Sequence, residues 1–514
     1  MKKIIVAILS LSAVSVWAEQ WQVLGTRPMG MGGAYVAMAR GPIAQYWNPA
    51  GLAQVSSQTF SGLEIPAGVG IEVTGKLLDN VSNITEVANQ IDGVRKSNST
   101  DKVNADEMSA FIKTLGSLEK INKNEDSGSL IEVAGGLNLK ISKIALSINN
   151  YTAAGLNPFI DSRNIKVVDD TTVGSNLPTG TGDPTITRPD YKDARNNLSQ
   201  AIDNIGFGNI EDLFCGTGVN CFSGVYGNST DLANALTNEA ITNGISAGEL
   251  TEISNEAVQY SNDAGEIIKN VATGGSFDDN TSNINLKAAS FFEAAIGYGR
   301  YVNFLPGLAI GGNIKVIQGN IANKTFEFLK EDETKDVFDD FLDNKESSMK
   351  PAFDLGFLWD VNQKYPKIPL HPTLGLTIRN INSPSFDGPT GKYKLDRQAR
   401  FGVALSPFNW WHLSADVDLT ENDTEVDGYK SRELAFGTEI NIINRKSFNL
   451  PLRLGLMKNL ANSNSSTMYT AGLGLTFAYI HFDVAAGISS GETEIDGDKY
   501  PEKGQVVASL GILF

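Results

Sequence analysis

Cysteine and histidine are nearly absent from this chain, with two cysteines and three histidines in 514 residues. His371, His412 and His481 lie far apart in sequence, and neither cysteine has a histidine near it. Zinc sites need clustered Cys and His ligands, and a Ser-His-Asp site needs a convergent trio. The sequence offers neither, so no metal, cofactor or catalytic residue is expected. Cys215 and Cys221 are not spaced as Cys-x-x-Cys; in an exported chain they are expected to clamp a small loop as a disulfide, with two free thiols as the alternative. Long hydrophobic runs are also missing. Nothing after Ala18 approaches eighteen consecutive apolar residues, which argues against a helical membrane anchor. Basic residues are outnumbered, 42 against 59 acidic, for a formal charge of −17. Such a surface disfavours direct contact with nucleic acid, whose phosphates require Lys and Arg patches. The acidic run of Glu331, Asp332, Glu333, Asp336, Asp339 and Asp340 lacks the glycine turn of an EF-hand and reads as a solvated helix face.

What is present begins with an export signal. Lys2 and Lys3 precede an apolar run from Ile4 to Val14, and Val16-Trp17-Ala18 supplies a cleavage point, so residues 1–18 are expected to be a removed signal peptide. The mature chain then carries a net charge of −19.

Past the leader, apolar residues recur with period two. In the last ten residues Val506, Ala508, Leu510, Ile512 and Phe514 share one face, against Gln505, Val507, Ser509, Gly511 and Leu513. The same alternation appears in Trp411 to Leu419, Leu450 to Leu456, Ile480 to Ile488 and Phe353 to Trp359. Strands are predicted at 57–74, 129–140, 143–153, 286–302, 307–322, 349–362, 370–380, 396–407, 410–421, 431–443, 449–460, 467–477, 480–490 and 504–514. The register of the first three is left open, because Pro66, Gly68 and Gly70 interrupt the first. The odd-numbered connections are long or medium and those between are short, as in outer-membrane barrels, whose turns are short on the periplasmic side and whose loops are long outside. The fold class is therefore all-β, a transmembrane antiparallel β-barrel of about fourteen strands in the bacterial outer membrane, its outer face against lipid. A soluble sandwich alternates in the same way, but the leader, the terminal Phe514 and the loop parity favour the barrel.

On this register Glu293, Asp354, Asp360, Asp416, Asp418, Glu433, Glu439 and Asp483 point inward, with Lys315, Arg379, Arg400 and Arg453 among them. His412 and His481 face the same way. Two readings are open for this lumen: an ion-paired, watered interior, or a charged path selecting hydrophilic ions. The expected domains are the leader, an N-terminal hatch at 19–56, and a barrel at 57–514 with extracellular insertions at 75–128 and 154–285. The insertions contain helical patterns at Asp106 to Leu118, Leu232 to Ile241 and Leu250 to Val271, and form either a cap over the pore or a surface for an envelope protein partner.

The most specific motif precedes the first strand: RPMGMGGAYVAMARGPIAQYWNPAGLA, residues 27–53. Gly30, Gly32 and Gly33 are grouped without the preceding strand and Lys-Ser/Thr of a phosphate-binding loop, so packed glycines in a plug fit better. The run resembles the hatch of the FadL/TodX outer-membrane transporters. That resemblance implies a fourteen-stranded barrel plugged by the hatch, a hydrophobic small-molecule ligand, and hatch roles for Tyr46, Trp47, Asn48, Pro49 and Ala50. The form ARGPIAQYWNPAGLA, with a C-terminal half like Asp396 to Phe514, is similar to exported barrel proteins labelled conjugal transfer protein TraF; the thioredoxin-like protein of that name would need a Cys-x-x-Cys, which is lacking. Three functions follow as expectations: uptake of hydrophobic molecules, an envelope component associated with conjugal transfer, and a porin for polar solutes.

Overall fold

A strand with one apolar and one polar face needs lateral partners for its backbone and lipid or a core for its apolar side, and a closed antiparallel cylinder supplies both. The computed structural model describes residues 20–54, 61–77, 105–123, 126–161, 164, 178, 180–215, 224–272, 280–327, 341, 344–445, 447–495 and 498–513. Its strands are β1 (Gly62–Thr74), β2 (Gly128–Ile141), β3 (Ile144–Phe159), β4 (Asn283–Tyr301), β5 (Leu308–Glu327), β6 (Lys345–Asp360), β7 (Thr373–Arg379), β8 (Ser385–Gly388) and β9 (Gly391–Lys394). They continue with β10 (Gln398–Phe408), β11 (Trp411–Asp418), β12 (Glu433–Arg445), β13 (Phe448–Asn459), β14 (Met468–Phe477), β15 (Ile480–Ser489), β16 (Glu492–Ile495), β17 (Asp498–Pro501) and β18 (Lys503–Leu513).

Fourteen of these form one closed barrel, sealed where β1 pairs with β18. Each corresponds to a strand expected from the sequence. The open register of the first three is fixed by Gly62↔Leu513, Gly62↔Lys140 and Ile141↔Ile144. Pro66 is accommodated because β1 stays paired to β18 through it, while its pairing to β2 skips Ile65 and Pro66; a residue without an N–H is best tolerated where the ladder is interrupted. Two elements were not foreseen: β8–β9 and β16–β17 are separate two-stranded hairpins within the long connections. Residues 1–19, the acidic run 331–340, Cys221 and Phe514 lie outside the described residues.

The alternation resolves as the sequence indicates. Leu454, Phe482, Val506 and Leu510 are exposed on the outer wall, while Arg453, Asp483, Val507 and Ser509 are buried inside. At the short-turn end Phe304, Tyr365, Phe408, Trp410, Phe477 and Tyr479 are exposed as an aromatic collar, the arrangement that seats a barrel at a membrane–water boundary.

Inside the barrel lies the N-terminal segment 20–54, with two short helices, α1 (Thr26–Gly30) and α2 (Ala44–Trp47), and a 3₁₀ turn at Pro49–Ala53. At the long-loop end the two insertions pack together as α3 (Ala105–Lys123), α4 (Lys192–Ile205), α5 (Phe207–Cys215), α6 (Ser229–Thr242) and α7 (Ala247–Ala272). Three of these were expected; α4 and α5 were not. Ile112, Leu115, Leu198, Ile202, Leu236 and Ile268 form a core of their own. Two hydrogen bonds between Asn122 and the backbone of Ile160 tie α3 to the barrel rim.

Candidate functional site

Glycines on the inner wall set how the inner segment is held. Gly299 pairs with Gly311 and Gly311 with Gly356, a row across β4, β5 and β6; Gly375 pairs with Gly402, and Gly437 with Gly455. A Cβ at Gly311 would lie 2.2 Å from the Pro49 carbonyl oxygen, one at Gly356 2.2 Å from Asn48 Oδ1, and one at Gly437 2.4 Å from the Met31 carbonyl oxygen. The wall is bare where the segment's backbone touches it, so close contact replaces the gap that side chains would impose. The segment's own Gly32, at φ +65°, answers Leu456, where any Cβ would meet backbone at 2.5 Å. Gly30 lies against Gly472, and Gly33 adopts φ +87° beside Met457.

The Asn-Pro-Ala run is a corner pinned to the wall. Asn48 Nδ2 donates to the carbonyl oxygens of Val36 (3.1 Å) and of Phe357 on β6 (2.9 Å), and its Oδ1 accepts the Ala50 N–H at 3.1 Å. That last bond caps the 3₁₀ turn, with Pro49 at its first position, where a missing N–H costs nothing. Trp47 Nε1 donates to the Leu24 carbonyl oxygen, and Tyr46 OH to that of Gln22. The Tyr46 ring stacks on Tyr151 of β3 at 5.1 Å.

The ionised wall residues pair with this segment as much as with each other. Glu439 takes Arg27 through both oxygens at 2.7 Å, Arg453 at 2.8 Å and Arg40 at 3.5 Å; Arg453 also reaches Asp483 at 2.7 Å. Asp416 accepts the N–H groups of Tyr35 and Val36, both at 2.7 Å. Arg400 is bidentate to Asp418, and its guanidinium lies 4.6 Å from the Trp21 ring. Lys315 bridges Glu293 and Asp354 at 2.8 and 2.9 Å, and Arg379 covers the Tyr46 ring at 3.9 Å. Asp360 departs from the expected lumen set: it sits half-buried at the short-turn rim and caps the turn Val361–Gln363, because β6 ends there. His371 lies in the turn before β7. His412 Nδ1 shares a hydrogen bond with Ser406 Oγ at 2.8 Å, whereas His481 Nδ1 is buried without a partner; the two imidazoles form no triad with a carboxylate among the described hydrogen bonds. Arg27, Arg40, Tyr35 and Trp21 were not singled out from sequence; two of these are arginines flanking the MGGAYV run, a charge signal that was readable.

The lumen is closed again toward the long-loop end. The β8–β9 hairpin folds inward, so that Phe386 packs 5.2 Å from Phe291. The connection 419–432 crosses from β11 to the opposite wall. Asn157 of β3 donates to the Glu425 carbonyl oxygen and accepts the Asp427 N–H, while Tyr429 OH donates to Glu72 of β1. Glu425, buried in this strap, accepts a hydrogen bond from Tyr393 OH at 2.6 Å. Burial pushes its carboxyl up to about 7; the Tyr393 hydrogen bond and Lys287 oppose that rise and Asp427 adds to it.

Two environments therefore share the interior. Phe386, Leu395, Phe291, Ile317 and Tyr151 form one apolar column continuous with Tyr46 and Trp47 of the inner segment. Below that segment, a polar cavity of about 610 Å³ opens among the turn residues Asn409 and Tyr479 and is lined by Arg27, Arg40, His412 and His481.

The family model described as "F plasmid transfer operon, TraF, protein" matches residues 45–418, from α2 to the end of β11. The chain belongs to this family. In this TraF-family chain the match takes in the Asn-Pro-Ala corner, the helical insertions and the inward hairpin. No curated protein matches the chain. Among solved structures it is similar to a TodX monoaromatic hydrocarbon channel carrying a deltaS2S3 mutation, at 10% identity and a TM-score of 0.42 over 95% of this chain and 99% of that one. It is also similar to the toluene transporter TbuX of Ralstonia pickettii (9%, 0.40, 95% and 98%) and to a FadL homologue of Pseudomonas aeruginosa (9%, 0.37, 97% and 99%).

Proposed function

We propose that this TraF-family barrel is a gated outer-membrane channel for small hydrophobic molecules, and that the inner segment 20–54 is its gate. The observation that carries this reading is the apolar column from Phe386 to Tyr151, which runs directly onto Tyr46 and Trp47 of the segment that blocks it. A hydrophobic molecule would be drawn from lipid or water into that column at roughly 25 cal/mol per Å² of apolar surface removed from water. Passage then requires the segment to shift, because the glycine row leaves no space beside it. The paired lumen charges serve to hold the gate and are poorly arranged for ion flow, which sets the porin reading aside.

Native mass spectrometry of the folded, detergent-purified protein tests this. The expected result is a co-purified or added hydrophobic molecule bound to the native chain, and binding weakened when Asn48→Ala frees the corner from Phe357. A folded barrel that binds no member of a panel of alkyl and aryl compounds sinks the proposal. The family's association with the F plasmid transfer operon favours a second reading, an envelope component used in conjugal transfer, with the helical cap as its contact surface. Unchanged mating after clean deletion removes that reading.

A further inference from the structure

We infer that the polar cavity beneath the inner segment binds a small oxyanion, of the carboxylate or phosphate type, on the Arg40 guanidinium, and that the bound anion locks the segment in place. The cavity, of about 610 Å³, opens at the short-turn end, across the segment from the apolar column. Its roof is the segment itself, through Arg27, Tyr35 and the loop 40–43, and its walls include Asn441 and Arg445 of β12.

Three arginines converge there on one carboxylate. Glu439 takes Arg27 through both oxygens at 2.7 Å and Arg453 at 2.8 Å, while Arg40 reaches it through one nitrogen at 3.5 Å. That long contact is the one ion pair of Arg40 among the described residues, and 31% of its side chain is exposed. The other acids of the cavity do not serve it: Asp483 is held by Arg453 at 2.7 Å, and Glu64 stands on β1, five strands round the barrel from β12. Burial opposes the charge of both arginines of the segment. Glu439 more than offsets this for Arg27, which is held above its ordinary value, but not for Arg40, which burial and Arg27 press down to about 10. Arg40 is therefore charged at neutral pH and poorly paired. A guanidinium carries five N–H donors in a planar fork that matches a carboxylate or phosphate, and one long bond leaves most of these open. Arg445, exposed at the end of β12, adds a second positive charge to the same cavity.

This site is whole only while the segment is seated, because Arg40 belongs to the segment and Arg445 to the wall. A ligand confined to one state stabilises that state by RT ln(1 + [L]/Kd), so an anion at ten times its Kd lowers the unseated population roughly tenfold. The lock rests on reading the segment as the gate; binding at Arg40 does not.

Isothermal titration calorimetry of the detergent-purified protein with sodium phosphate and with sodium succinate, at an ionic strength held constant with chloride, reads the binding. At least one of the two should bind saturably, one per chain, and Arg40→Gln should weaken it at least about tenfold, as loss of a charge-assisted hydrogen bond does. Binding of neither anion overturns the inference, as does binding that Arg40→Gln leaves unchanged, which would mean an adventitious ion elsewhere. If the variant does not fold, phenylglyoxal decides on the native chain: the anion should slow modification of Arg40 several-fold and leave exposed Arg188 unaffected, and equal rates at Arg40 with and without anion overturn the site. Hydrogen exchange then reads the lock. Anion at ten times its Kd should slow exchange of residues 20–54 roughly tenfold in the native chain and leave Arg40→Gln unchanged. Binding without slowed exchange overturns the lock. The channel reading stands or falls separately, on the panel of hydrophobic compounds.

Discussion

Among the described residues, Glu439 alone faces three arginines, two from the inner segment and one from β13. Removing one partner of a buried ionic group typically costs roughly 3–5 kcal/mol, since the charges left behind lose their compensation. Glu439→Gln is therefore expected to lower the melting temperature of the inner segment, read as loss of protection of residues 20–54 in hydrogen exchange, while the strands keep theirs. Equal protection in variant and native chain would show that the glycine contacts alone hold the segment. The inward position of Glu439 was legible, since period-two alternation assigns faces without any knowledge of partners. Its bond to Arg27 spans 412 residues and leaves no local trace, so alternation predicted a charged lumen and missed whom the charges serve.

Among the elements, the strap 419–432 carries a pH dependence. Glu425 has an ordinary value of 4.5, raised to about 7 by burial. A raised folded value means that its contribution is fully present below 4.5 and is lost as pH rises through about 7. Limited proteolysis across residues 422–431 should accelerate between pH 6 and pH 8, and Glu425→Gln should flatten the profile. A strap equally resistant at both pH values would refute this. Strands were read from sequence because each alternates over many residues; the β8–β9 hairpin was not, being only four residues on each side, although the Gly388-Pro389-Thr390-Gly391 turn between them was a visible signal. In α4 the buried Ala194, Leu198, Ala201, Ile202 and Ile205 follow helical spacing that the Asn-rich composition obscured. The strap has little such signal, with Val426 and Tyr429 as its buried apolar residues.

For the whole molecule, the barrel is shut at two levels, by the inner segment and by the strap with the hairpin. Native protein in planar bilayers should conduct little. Deletion of 21–53 should open steady conductance on the short-turn side of the strap only if the strap also yields, so adding Glu425→Lys to that deletion should raise conductance well above the deletion alone. Identical traces from both would mean that the strap is no barrier. Finally, the seam of the cylinder joins its first strand to its last, and the enclosed segment 20–54 precedes that first strand in sequence. Enclosure is consequently a late event in biogenesis: while β18 is unsynthesised or unpaired, residues 20–54 have a wall on only one side. The order of translation thus leaves residues 20–54 waiting for β18 to shut them in.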